Sequence, residues 1–175
     1  NVESGLNYWD KATNKISHFQ NEKNKPNSLS NNNVKAMALD TKGQLWVGTF
    51  DGLNIFNPNS KSFIVYKKTD NKRIGLSDSS IKSIFKDKRG TMWVGTYYGG
   101  VNHTDVNYQR FQNFVYGPYN NELSADVVSS FVEDENNNLW VGTEGGGLNY
   151  YNKKNRQFTN YKHQANTADR KSTRL

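Results

Sequence analysis

The side chains able to do chemistry in this sequence are scattered, and their spacing argues against catalysis. His18, His103 and His163 fall in unrelated surroundings, without the close grouping a metal site needs. Cysteine is absent, which removes disulfides and thiolate ligands without naming a compartment. No Gly-x-Ser-x-Gly elbow and no phosphate loop occurs. A different chemistry is open to Asp51, Arg73, Tyr97, Tyr98, Tyr119 and Glu144. Three of these offer aromatic faces on which a ligand can stack, and three offer charged groups for its polar edges. This is binding chemistry, and it calls for no metal or cofactor.

What must position these residues is a repeat. "LWVGT" at Leu45 to Thr49 returns as "MWVGT" at Met92 and as "LWVGT" at Leu139, each 47 residues on. Leu29-Ser30, Leu76-Ser77 and Leu123-Ser124 keep the same interval, as do Asp40, Asp87 and Asp134. Gly52-Leu53-Asn54, Gly100-Val101-Asn102 and Gly147-Leu148-Asn149 follow the three pentapeptides, and Gly5-Leu6-Asn7 opens the chain as a fourth copy. An apolar residue stands 11 positions after each of these glycines (Ile16, Phe63, Phe111, Phe158), and an aromatic one 14 after (Phe19, Tyr66, Phe114, Tyr161). Self-similarity of this length outweighs every other signal in the chain.

One period reads as four short strands: "VKAMALD" from Val34, the WVGT segment, "GLNIFN" from Gly52 and "FIVYK" from Phe63. Each is too short for a helix. "DTKG", "DKRG" and "DENN" join the first two strands, where the fourth position needs a positive φ that Gly43, Gly90 and Asn137 can supply. "NPNSK" supplies the turn between the last two. The fold class is therefore all-β: a β-propeller fragment of four-stranded antiparallel blades with a 47-residue repeat, about three and a half blades long. The expected divisions are a half blade at 1–26 and blades at 27–74, 75–121 and 122–168. Within a stack, Trp46 and Gly48 face one neighbouring blade, and Leu45 and Val47 the other. Residues 169–175, "DRKSTRL", break the pattern and resemble a translated adapter oligonucleotide, so they are set apart.

The formal charge of +7 falls to about +5 without that ending, and Lys and Arg are interspersed with Asp and Glu rather than gathered into a stripe. This segment is expected to contact no nucleic acid. No apolar run is long enough to span a membrane.

From Leu29 to Asn54 the residues L-S, V, D, G, L-W-V-G-T and G-L-N resemble the two-component regulator propeller repeat of bacterial hybrid two-component sensors. The likeness extends from Gly5 to about Tyr161, with His103 where an aromatic residue is usual. The resemblance implies a periplasmic, ligand-sensing segment of an inner-membrane-anchored parent, with a phosphorelay carried by a histidine kinase and other domains outside this chain. It further implies an oligosaccharide ligand derived from a complex glycan. The expected partners are that oligosaccharide, the remaining blades, and a second parent chain in a homodimer.

Strand parity places the second-to-third turns on the same face as the links from one blade to the next. There "FDG", "YYGG" and "EGGG" differ after near-identical WVGT segments, which selects Asp51, Tyr97, Tyr98 and Glu144; the variable links add Arg73 and Tyr119. With a saccharide ligand the tyrosines would stack on sugar rings. Two other readings use the same scaffold: a protein-interaction propeller without a small ligand, and a sialidase-like glycosidase. "SIFKDKRGTMW", from Ser83 to Trp93, is similar to the Asp-box turn of sialidases, but that turn is structural and the arginine cluster of those enzymes is missing.

Overall fold

The computed structural model describes residues 4–69, 75–105, 108–117 and 121–163, with backbone only for 105 and 108–112. The described residues form fourteen strands and no helix, so no helix is long and apolar enough to cross a membrane.

β1 (Leu6–Asp10) and β2 (Lys15–Phe19) make a hairpin. β3 (Val34–Leu39), β4 (Leu45–Thr49), β5 (Gly52–Asn57) and β6 (Ser62–Tyr66) make a four-stranded antiparallel sheet in chain order. The same arrangement recurs as β7 (Ile81–Lys86), β8 (Met92–Thr96), β9 (Val101–Asp105) and β10 (Tyr108–Phe114), and as β11 (Val128–Glu133), β12 (Leu139–Thr143), β13 (Gly147–Asn152) and β14 (Gln157–Tyr161). The first strands of adjacent sheets, β3 with β7 and β7 with β11, lie side by side, as blades do around a propeller axis.

The Asp turns close the first hairpin of each blade as their chemistry requires. Asp40 Oδ1 accepts the backbone N–H groups of Lys42 and Gln44 at 2.8 and 2.9 Å. Asp87 and Asp134 repeat the arrangement on Arg89 and Thr91 and on Asn136 and Asn138. The fourth turn residue is left-handed in all three, with φ of 75° at Gly43, 88° at Gly90 and 62° at Asn137. The second carboxylate oxygen of Asp40 and of Asp87 then accepts the indole N–H of the strand tryptophan, Trp46 at 3.2 Å and Trp93 at 3.0 Å.

Three apolar layers lie between the blades. Val47, Phe63, Leu29 and Leu6 fill the first, Trp46, Leu53, Ile81 and Val94 the second, and Trp93, Val101, Val128 and Val141 the third. Trp46 and Val47 thus face opposite neighbours, as alternation along the strand dictates. The faces without a neighbouring blade are different. Ile16, at the position held by the buried Phe63 and Phe158, is 61% exposed, because the hairpin face carrying it and Trp9 has no blade against it among the described residues.

The third layer ends in a buried ionic cluster. Lys153 Nζ lies 2.6 Å from Asp87 Oδ2 and 3.2 Å from Glu133 Oε1, and 5.5 Å from the centre of the Trp93 ring. Burial would raise the Asp87 carboxyl, but the hydrogen bonds from Lys153 and Trp93 outweigh it and hold that group below its ordinary range.

Candidate functional site

The turns between second and third strands are held by a network that the repeat supplies three times. Thr49, Thr96 and Thr143 donate their hydroxyls to the carbonyls of Gly52, Gly100 and Gly147 at 3.0, 2.9 and 3.0 Å. The wholly buried Asn54, Asn102 and Asn149 each accept the backbone N–H of the Ser that precedes the blade's first strand: Ser30, Ser77 and Ser124, all at 2.8 Å. Each amide also donates to a carbonyl of the second strand, at Val47, Val94 or Val141. The Leu-Ser and apolar-Asn pairs recur together because a buried amide must have its partners supplied within the same blade.

This network fixes one residue per blade at an equivalent point. Phe50, Tyr97 and Glu144 follow the threonines, and their backbone N–H groups donate to the carbonyls of Asn33, Ser80 and Val127 at 3.1, 2.9 and 2.9 Å. The second-to-third turns therefore share a face with the links between blades. On that face the Phe50 and Tyr97 rings lie 6.4 Å apart, and Tyr97 and Tyr98 5.4 Å apart. Lys82 Nζ stands 4.8 Å from the centre of the Tyr97 ring and 2.9 Å from Glu144 Oε1. The Glu144 hydrogen bond, reinforced by its charge, raises the Lys82 pKa above its ordinary value. Tyr98 is 69% exposed, so a ligand has access to its ring.

Of the six residues selected from sequence, Tyr97, Tyr98 and Glu144 come together in this strip. Asp51 lies in the adjoining turn, where its carboxylate pairs with Lys67 Nζ at 2.6 Å. Arg73 and Tyr119 lie outside the described residues. Phe50 and Lys82 were not selected. Lys82 sits in a β-bulge between Ile81 and Ser83, and equivalent bulges hold Lys35 and Ser129. The sequence offered little signal there, since two of the three copies, Lys35 and Lys82, carry the same residue and only Ser129 departs.

The strip can stack a flat ring and hydrogen-bond its edges. Among the described residues no group of three or more His, Asp or Glu is placed to hold a metal. A separate polar hollow of about 240 Å³, lined by His18, Lys25, Ser28, Ser60 and Lys61 among others, includes none of the strip residues.

Residues 28–51, 75–98 and 122–145 match the model of the family described as two component regulator propeller. The three matched segments are two-component regulator propeller repeats. Each matched segment of these repeats runs from the Leu-Ser pair through the Asp turn to the first residues of the variable turn, so it holds the Ser and Thr members of the network and Phe50, Tyr97 and Glu144, while Asn54, Asn102 and Asn149 follow just beyond it.

Solved structures place the repeats in context. The extracellular domain named as that of a hybrid two component system, BT3049 of B. thetaiotaomicron, is 29% identical with a TM-score of 0.67, over 85% of this chain and 18% of that one. A second, BT4673 of the same organism, is 25% identical with a TM-score of 0.67, over 84% of this chain and 20% of that one. Virginiamycin B lyase from Staphylococcus aureus shares the fold alone, at 12% identity and a TM-score of 0.55, over 74% of this chain and 41% of that one. The chain thus spans about a fifth of the length of the two extracellular domains. No curated protein matches the chain.

Proposed function

We propose that these blades belong to the extracytoplasmic, ligand-sensing region of a two-component system. The ligand is an oligosaccharide that lies across the second-to-third turns, and the segment is non-catalytic. The observation that carries this reading is the connected strip drawn from three blades: Phe50, Tyr97, Tyr98 and Glu144 at the points where their sequences stop agreeing, joined by Lys82 from a first strand. Aromatic rings stack on the C–H faces of sugars, while charged groups take the hydroxyls. The two extracellular domains above, each named as part of a hybrid two component system, support the sensor assignment.

In this reading the segment sits outside the inner membrane, in the periplasm, and the parent chain carries the membrane anchor and the histidine kinase. Binding biases a phosphorelay that controls transcription, with further blades and a second parent chain completing the sensor. Titrating the protein with oligosaccharides from several glycans, followed by calorimetry, tests it directly. Saturable binding that Tyr97→Ala and Tyr98→Ala both weaken is the expected result. Binding by none of them, or binding indifferent to both substitutions, would remove the turn face as the ligand surface. Incubation with the same glycans should release no product.

A further inference from the structure

Lys82 reaches the turn face through a break in its strand. Ile81 pairs with Thr96 and Ser83 with Gly95, so Lys82 is the extra residue of a bulge, and a bulge re-aims the side chain it carries. Its ammonium has partners in two blades: the Tyr97 ring of its own, with the centre 4.8 Å away, and Glu144 Oε1 of the next, at 2.9 Å. The carboxylate neutralises the cation, and the cation lies against the ring. Three side chains from two blades thus form one clamp with Tyr97 at its end.

Exposure separates the members of the clamp from the rings beside it. The Lys82 side chain is 29% exposed and Tyr97 is half-buried, whereas Phe50 and Tyr98 are 52% and 69% exposed. Both of these rings lie against Tyr97, tilted from it by 58° and 51°. The surfaces a ligand reaches most readily are therefore Phe50 and Tyr98, and Tyr97 is the ring that joins them. The equivalent bulges hold different groups. Beside Lys35 the position of Glu144 is taken by Tyr97, and Ser129 donates its hydroxyl to the Gly142 carbonyl at 3.2 Å. An ion pair as exposed as that of Lys82 adds little to stability, so its consequence lies in where it holds the ring.

We propose that Lys82 and Glu144 are positioning residues for the ligand surface: they fix the Tyr97 ring at the junction of the second and third blades, and Tyr97 in turn sets Phe50 and Tyr98 for stacking. The charge of Lys82 is satisfied inside the protein and does not meet the ligand. This inference rests on the turn face being the ligand surface, and adds which of its residues act through another.

Calorimetric titration with neutral hexasaccharides of xylose, mannose and glucose tests it. Lys82→Met and Glu144→Gln should each weaken binding about two- to tenfold, the range set by having to order one side chain on binding. The double variant should lose no more than either alone, because both changes release the same ring. Lys82→Arg should retain affinity, Lys35→Met should leave it unchanged, and thermal melts should stay close to wild type throughout. Without any saccharide, the Tyr97 ring resonances, assigned through Tyr97→Phe, should shift in Lys82→Met and in Glu144→Gln. Additive losses would mean that the two side chains touch the ligand separately, and tighter binding by Glu144→Gln would mean that a freed Lys82 meets it. Either result, or affinity unchanged by both substitutions, overturns the positioning role. In each of those cases a loss with Tyr98→Ala would leave the turn face standing as the ligand surface. Binding indifferent to Tyr98→Ala, or no binding of any probe, removes both.

Discussion

Ile81 occupies the space that a side chain on Gly48 would need: a Cβ there would lie 2.5 Å from Ile81 Cγ2 and 2.9 Å from Ile81 Cβ. The glycine of WVGT is therefore the point where the next blade's first strand comes closest. Gly95 stands in the same relation to Val128, at 2.7 and 3.0 Å. At Gly142 a Cβ would meet only its own blade, chiefly the Ser130 hydroxyl at 2.4 Å, which can rotate away.

Gly48→Ala and Gly95→Ala should each wedge two blades apart and cost about 1 to 3 kcal/mol, the usual range for overpacking a filled core. Gly142→Ala should cost clearly less. Thermal melts of the three variants would check this order. Equal losses at all three positions would mean that the glycines are needed for something other than blade contact.

The tryptophans predict the same asymmetry. Trp93 is 3% exposed between two blades, with its N–H on Asp87, whereas Trp140 is only partly buried against Tyr150 and Tyr161. Trp93→Ala should cost about 3 to 5 kcal/mol in denaturant unfolding. Trp140→Ala should cost less than half as much.

Much of this was legible because the repeat compares each residue with two others in the same chain. The left-handed φ at Asn137 follows from Gly43 and Gly90, and the opposed facing of Trp46 and Val47 follows from strand alternation. The exposure of Ile16 was not legible, since repeat position says which face a residue is on and not whether a neighbour covers it. Within the strip, Tyr97, Tyr98 and Glu144 stood out as departures beside a constant motif. Lys82 was missed because a bulge, invisible in the strand pattern, decides where its ammonium goes. The Lys153 cluster had no sequence signal either, since Asp87, Glu133 and Lys153 meet only through the packing of two blades.

That cluster should give the protein an acid-sensitive blade contact. The folded Asp87 pKa lies below its unfolded value near 3.8, so its stabilising contribution is present above that value and is lost as pH falls through the folded one. Lys153→Met leaves two buried carboxylates, on Asp87 and Glu133, without their cation. It should cost about 3 to 5 kcal/mol at neutral pH. With the cation gone, burial dominates at Asp87, its carboxylate protonates more readily, and the acid unfolding midpoint should move to higher pH. Circular dichroism followed from pH 7 downward would show it, and superimposable acid transitions would contradict the assignment.

The two faces that no described residue outside their own sheet covers are complementary in kind. Trp9 and Ile16 lie on the hairpin face that corresponds to Phe56 and Phe63, which in the next blade pack against Phe19 of the preceding one. Trp140, Leu148, Tyr150 and Tyr161 lie on the face that corresponds to Trp93, Val101 and Phe114, which is covered by the following blade. Copies of this chain should therefore associate head to tail, hairpin face onto last-blade face. Such a contact is heterologous, so it should grow with concentration rather than stop at a symmetric dimer. Sedimentation velocity should show species heavier than the 20.0 kDa chain as concentration rises. Trp9→Lys and Trp140→Lys, each placing a charge on one of the two faces, should separately return the protein to monomer. A wild-type chain that stays monomeric throughout would show that these apolar faces are too irregular to meet.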